Sequence, residues 1–219
     1  MQYIYLLGTS RKMIRQLTYL ILLTVTWSCS QSADKKEKVE QPVQTKSEST
    51  DNESSEKLDF DYQKFEIKKG QLGEIKVGMT ISEAEQRFEG LRKEVGQATS
   101  YGFGGGSPAY LYYDKDDLAF GLIPTLGTDT LLIIIAASPR LKTTNGLNPN
   151  STVRNISDKY PNVKVNQDLM NGWEYISDTT NNWGFVFMTE EKTVGDYPEL
   201  EVPSDLKNLD IKADWVTIK

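Results

Sequence analysis

The sequence predicts an α+β domain: two α-β-β-β units forming an antiparallel sheet, with short helices packed on one face. Three observations predict it. Two amphipathic helical segments open with threonines, Thr80 and Thr152, that lie 72 residues apart. Each is followed by two runs of aromatic and β-branched residues around a polar turn. A further apolar run then closes each set.

The first helical segment lies in Ile75-Lys-Val-Gly-Met-Thr-Ile-Ser-Glu-Ala-Glu-Gln-Arg-Phe88, the second in Leu147-Asn-Pro-Asn-Ser-Thr-Val-Arg-Asn-Ile-Ser-Asp-Lys-Tyr160. Thr80 aligns with Thr152, Ile81 with Val153, Ala84 with Ile156 and Phe88 with Tyr160. Each threonine suits an N-cap, and behind it the apolar residues recur at i, i+3 and i+7. Thr80 and Glu83 also spell a capping box. Gly90 and Pro161 are the expected stops.

The strands follow in order. Tyr110–Tyr113 and Leu118–Ile123 flank the charged turn Asp114–Asp117, and Trp173–Ile176 and Trp183–Met188 flank the polar turn Ser177–Asn182. Both sets read as β-hairpins. Asp129–Ile135 and Asp214–Ile218 supply the third strands, so the repeats run over about 70–137 and 142–219. Phe65 and Ile67 alternate in one additional N-terminal strand.

Upstream of this domain the chain changes character twice. Arg11, Lys12 and Arg15 precede the apolar stretch Leu17–Trp27, and Ser28-Cys29-Ser30 follows it. A positive region, a short apolar run and a small residue before a cut describe a secretory signal over residues 1–28, with Met13 the better start. A membrane-spanning helix needs about 20 apolar residues. Arg15 on one side and the polar run from Ser30 on the other leave too few. Cys29 is therefore the expected lipidation site and begins a tether, residues 29–57. Its stretch Ser30–Lys57 holds only Ala33, Val39 and Val43 as apolar residues and no aromatic. Such a segment cannot bury enough surface to offset its ordering entropy, so a disordered spacer is expected. Its flexible span would be about 30 Å. The globular domain is expected over 58–219.

The region around Cys29 resembles the lipobox of bacterial lipoproteins, in the looser form found in Bacteroidetes. The Gly78-Met-Thr80 entry to a short helix, with aromatic strands after it, resembles the small lipoprotein domains of the BamE/SmpA type. Tandem copies of such a unit resemble the β-lactamase-inhibitor-protein-like architecture, in which two helix-plus-sheet repeats share one sheet. These resemblances imply a lipid-anchored protein of the bacterial cell envelope, in the outer membrane. They imply a binding or assembly role there, not a reaction.

Composition excludes several alternatives. The chain has 31 acidic and 25 basic residues, one cysteine and no histidine. Removing residues 1–28, which carry three basic residues and no acidic one, leaves 22 basic against 31 acidic, a net of −9. An acidic chain without a basic cluster is not expected to take nucleic acid as a partner. With Cys29 used by lipid, disulfides, zinc fingers, Cys–His nucleophiles and histidine bases are out of reach. No cofactor is expected.

Candidate sites are few. The glycine-rich segment Tyr101-Gly-Phe-Gly-Gly-Gly-Ser-Pro108 lacks the Lys-Ser/Thr and the following helix of a phosphate cradle. It reads as a mobile loop whose Tyr101 and Phe103 are available to a ligand. Asp114, Asp116 and Asp117 lack the glycine and distal glutamate of a calcium loop and read as a charged turn, so no metal site is expected. A carboxylate pair for glycan hydrolysis is the alternative function, but spacing alone does not bring two such groups across a cleft. The aromatic strands carry the main expectation. Alternation sends one set of side chains to the core and the other outward. Tyr112 and Trp173, with Tyr101 and Phe103, are the expected contacts for an envelope protein or a glycan. The expected function is thus a non-catalytic, membrane-anchored binding or assembly module.

Overall fold

The computed structural model describes residues 59–189 and 192–219. The expected signal, Cys29 and the tether lie outside the described residues. The described part is α+β and dominated by sheet. A small antiparallel sheet holds β1 (Ile67–Lys68), β2 (Gln71–Leu72) and β3 (Ile75–Lys76). Then come α1 (Ile81–Glu85), β4 (Arg92–Gln97), β5 (Pro108–Asp114), β6 (Asp117–Pro124) and β7 (Leu131–Ala136). The second half holds α2 (Val153–Lys159), β8 (Asn166–Asp168), β9 (Trp173–Asp178), β10 (Trp183–Phe187) and β11 (Trp215–Ile218). Eight strands make one antiparallel sheet in the order β4-β5-β6-β7-β11-β10-β9-β8.

Both helices begin at the expected threonines. Glu83 N–H donates to Thr80 Oγ1 at 3.1 Å, and Thr80 N–H donates to Glu83 Oε2 at 2.8 Å. Thr152 has the same reciprocal box with Asn155 in place of the glutamate, at 3.2 and 3.1 Å. Helices of one or two turns are not stable alone. Backbone bonds hold these in place: Ile81 N–H donates to Asp129 O at 2.9 Å and Val153 N–H to Ile211 O at 2.8 Å.

The helices and the small sheet cover one face of the large sheet. Ile81, Ala84, Val153 and Ile156 join Phe65, Ile67 and Leu72 against Tyr112, Phe120, Ile134, Phe185 and Val216 in the main core. On the other face a smaller cluster gathers Ala98, Ala109, Leu111, Ile123, Ile133, Ile135 and Trp215.

Four expectations need correcting. Each helix is followed by four strands of the sheet, not three, because β4 and β8 are also present. They read Arg-Lys-Glu-Val-Gly-Gln and Asn-Gln-Asp and are the two edges of the sheet. An edge strand is held by backbone pairing on one side and is commonly protected by charge, so it lacks an apolar signature. The one expected N-terminal strand is three: β1 covers Ile67–Lys68 only, β2 and β3 join it in a separate sheet, and Phe65 precedes it as a buried core ring. The glycine-rich segment is not an open loop from its start. Ala98–Tyr101 forms a 3-10 turn whose Ala98 is fully buried. Finally, α1 ends at Glu85, ahead of Phe88, so the i+7 residue packs from the turn after the helix.

Candidate functional site: a groove on the open sheet face

Strand alternation builds the site. On β9, Glu174 and Ile176 are buried on the helix-bearing side, while Trp173, Tyr175 and Ser177 point to the opposite side. The register carries this across the sheet. Tyr175 stands opposite Val186, and Val186 opposite Trp215. Ser177 stands opposite Gly184, and Gly184 opposite Thr217. The open face therefore presents an apolar row beside a hydroxyl-bearing row with a glycine at its centre. A Cβ at Gly184 would meet only Ile176 O and Ser177 Oγ, both at 3.8 Å, so the floor is flat there and open above.

The 3-10 turn at Ala98–Tyr101 forms a wall. Gly102 ends it with φ +81°, a left-handed conformation suited to glycine. A Cβ there would lie 3.1 Å from both the Trp173 ring and Asn171 Nδ2, so the segment lies close against β9. Tyr101 meets Trp215 edge-on with ring centroids 5.6 Å apart, and Trp173 meets Trp215 likewise at 5.1 Å. Such pairs hold the rings in fixed orientations. Between this wall and the β8–β9 and β9–β10 turns lies a groove of about 580 Å³, lined by Tyr101, Phe103, Trp173, Tyr175 and Val186 among others. These five side chains are half-buried.

Two turns close the groove at either end of β9. Asp168 Oδ1 accepts from the N–H groups of Met170 and Asn171 at 3.1 and 3.2 Å, and Oδ2 accepts from Asn171 Nδ2 at 2.7 Å. Asp178 repeats the pattern with Thr180, Asn181 and Asn181 Nδ2 at 2.9, 3.0 and 2.6 Å. Gly172 and Asn182 take left-handed φ values of 70° and 60°, and a tryptophan follows each. The signal D-x-x-N-[G/N]-W occurs at 168 and again at 178 and was open to sequence inspection. Reading each turn only as a polar cluster missed it.

The electrostatics of the second turn predict a pH effect. Burial alone would raise the Asp178 carboxyl, but hydrogen bonds from Asn181, Tyr160 and Thr180 outweigh it and hold the group below the ordinary aspartate range. A folded value below the unfolded one gives stability that is present above the unfolded value. It is lost as pH falls through the folded one. Denaturant midpoints should therefore drop below about pH 4, and Asp178→Asn should flatten part of that drop. An unchanged acid limb in the variant would contradict the assignment.

Of the residues expected to make contacts, Tyr101, Phe103 and Trp173 come together on the groove, while Tyr112 does not. Tyr112 is 2% exposed on the helix-bearing side. Its hydroxyl donates to Glu85 Oε1 at 2.6 Å, and its ring packs on Phe88 and Phe120. Alternation separates a strand's side chains into two sets, but it does not say which set meets the helices. Val186 lines the groove without having been singled out in the sequence, and Tyr175 joins it as one of the strand aromatics. Asp114 is tied into the fold, accepting from Arg140 Nη2 at 2.7 Å and from the Tyr62 hydroxyl at 3.3 Å. Among the described residues, no three His, Cys, Asp or Glu side chains are grouped to hold a metal ion. None of the helices among them is long and apolar enough to cross a membrane.

No family model matches the chain, and no curated protein matches it. Among solved structures, the chain is similar to the crystal structure of yfeY, an uncharacterized protein of Escherichia coli. The identity is 13% and the TM-score 0.45, over 71% of this chain and 97% of that one.

Proposed function

We propose that this protein is a lipid-anchored lipoprotein of the bacterial cell envelope whose folded domain is a non-catalytic binding module. The observation that carries the binding role is the groove, where half-buried Tyr101, Phe103 and Trp173 converge on a sheet face that, among the described residues, neither α1 nor α2 covers. Outward aromatics in a recess are a common basis for recognition. The arrangement of carboxylates also favours binding over hydrolysis. Asp168 and Asp178 each serve three donors in their own turns. Glu174 is buried and accepts four hydrogen bonds. Groups so engaged are poorly placed to exchange protons with a substrate.

The anchoring rests on the segment before Cys29. Each buried CH₂ of an added acyl chain contributes about 0.8 kcal/mol, so several chains hold firmly. The domain itself reads as a tandem duplication of a BamE/SmpA-like unit, in the manner of β-lactamase-inhibitor-protein-like folds. Three details support this. Both helices carry reciprocal capping boxes. Thr80 bridges Thr130 just before β7, and Thr152 bridges Lys212 shortly before β11. The two sets of four strands also run outward in mirrored order from the central β7–β11 pair.

Membrane fractionation and envelope crosslinking test the reading together. Cys29→Ser should shift the protein out of the membrane fraction or leave it unprocessed. Crosslinking from Phe103 or Tyr175 should recover an envelope component that Trp173→Ala loses. Normal processing with unchanged fractionation would refute the anchor. Crosslinks insensitive to Trp173→Ala would refute the groove.

A further inference from the structure

We propose that the groove binds a neutral oligosaccharide, laid along β9 over the Trp173–Tyr175–Val186 platform with its hydroxyls on Asp168, Ser177 and Thr217. This rests on the groove being a binding site and specifies the class of ligand. Four features select that class.

The first is shape. Strand β9 has six residues and is about 17 Å long, so the groove above it suits an extended chain better than a compact small molecule. The second is the layout of the floor. The apolar row of Tyr175 and Val186 runs beside the hydroxyl row of Ser177 and Thr217, and the bare Gly184 leaves the middle flat. A pyranose ring has an apolar C–H face and an equatorial belt of hydroxyls, so it needs those two kinds of surface side by side. A hydrophobic helix would leave the hydroxyl hydrogens of Ser177 and Thr217 without an acceptor and would need a wider apolar stripe.

The third feature is charge. Among the described residues, Asp168, Asp178 and Glu201 line the groove with Lys219 as the one lining cation. An anionic polymer, phosphate or lipid headgroup would meet an excess of like charge. The fourth decides against a cation. Aromatic rings beside carboxylates can hold an ammonium group. Here, however, Asp168 is already surrounded by two N–H groups and an amide. Those donors offset its charge locally while leaving acceptor capacity for one more hydroxyl. Thr217 Oγ1 likewise accepts from Trp215 Nε1 at 3.2 Å and keeps its own hydrogen to donate. The groove therefore offers paired donors and acceptors to hydroxyls, and Asp168 is not a bare carboxylate for an ammonium group.

Calorimetric titration tests this, with the full chain held in a zwitterionic, sugar-free detergent. The probes are neutral hexasaccharides (cello-, malto-, laminari-, manno-, galacto- and chito-), with spermine and a sulfated hexasaccharide as charged comparators. At least one neutral probe should bind saturably. Trp173→Ala should weaken it about tenfold or more, the scale of one lost stacking contact. Because Trp173 also packs on Trp215, Gly184→Leu is the second variant. It fills the floor without touching other backbone closely and should weaken binding at least as much while the denaturation midpoint holds. Val95→Ala, on an edge strand outside the groove, should change nothing. Binding of spermine or the sulfated probe alone, no binding by any neutral probe, or binding that survives both groove variants would overturn the proposal. If the crosslinks from Phe103 or Tyr175 remain sensitive to Trp173→Ala while every neutral probe fails, the binding module stands and the ligand class is wrong. If the crosslinks fail too, the groove assignment falls with it.

Discussion

Replacing Glu174 by alanine is expected to destabilise the domain by about 3–5 kcal/mol, among the larger losses a single substitution produces. Glu174 is 3% exposed, opposite Phe187 at the open end of the second hairpin. A buried carboxylate is tolerated only when hydrogen bonds replace its water. Glu174 has four. Val194 N–H and Thr189 Oγ1 donate to Oε2 at 2.6 and 2.9 Å, and Gly195 N–H and the Tyr197 hydroxyl donate to Oε1 at 2.9 and 2.6 Å. The one side chain thus fastens Thr189, Val194, Gly195 and Tyr197 to β9. Burial pushes the Tyr197 phenol up, and the bond to Glu174 pushes it further. Alanine would leave two backbone N–H groups and two hydroxyls without their acceptor. Glutamine is the sharper comparison, since it keeps the volume but turns one acceptor oxygen into a donor facing donors. It should cost about 2 kcal/mol or more, and Tyr197→Phe about 1–2 kcal/mol. Urea denaturation measures all three. A loss below about 1 kcal/mol for the alanine variant would mean that water replaces the carboxylate and that the staple is not structural.

That staple was not legible in the sequence. Glu174 sits between Trp173 and Tyr175 and reads as a polar residue on a half-exposed strand. Its donors lie fifteen or more residues away and belong to none of the helices or strands of the described residues. The legible parts were those coded locally. The box at Thr80 and the N-cap at Thr152 announce helix starts because cap and partner lie three residues apart. Tyr110–Tyr113 and Trp183–Met188 announce strands because interior strands must be apolar on at least one side. The edges β4 and β8 escaped because backbone pairing on one side asks little of their side chains. The groove was legible by halves. Tyr101, Phe103 and Trp173 stood out as aromatics, but Tyr112 stood out equally and is core. Only the register, which places Tyr112 opposite Phe120 and Tyr175 opposite Val186, separates the two faces.

Phe120→Ala is expected to cost about 3–5 kcal/mol and to release the N-terminal segment from the sheet. Phe120 is fully buried on β6 at the centre of an aromatic cluster. Its ring lies 6.0 Å from Phe60, 6.3 Å from Phe65, 5.0 Å from Phe88 and 5.1 Å from Tyr112. Those partners come from the N-terminal segment, the turn after α1 and β5. The small sheet they help to seat has strands of two residues, too short to persist without packing. Its backbone reaches the rest of the fold through bonds such as Ile67 N–H to Lys142 O at 2.7 Å and Gly78 N–H to Leu131 O at 2.8 Å. Loss of the Phe120 ring leaves a cavity under that sheet, so its amides should lose protection before those of β7 and β11. Hydrogen exchange on the variant reads this directly. Expected are fast exchange at Ile67, Gly73 and Val77, and slow exchange at Ile134 and Val216, in a domain that still unfolds in one transition. Uniform loss of protection would instead mean that the N-terminal segment and the central strands form one cooperative unit. Phe120 would then be a core residue like any other and not the anchor of the small sheet.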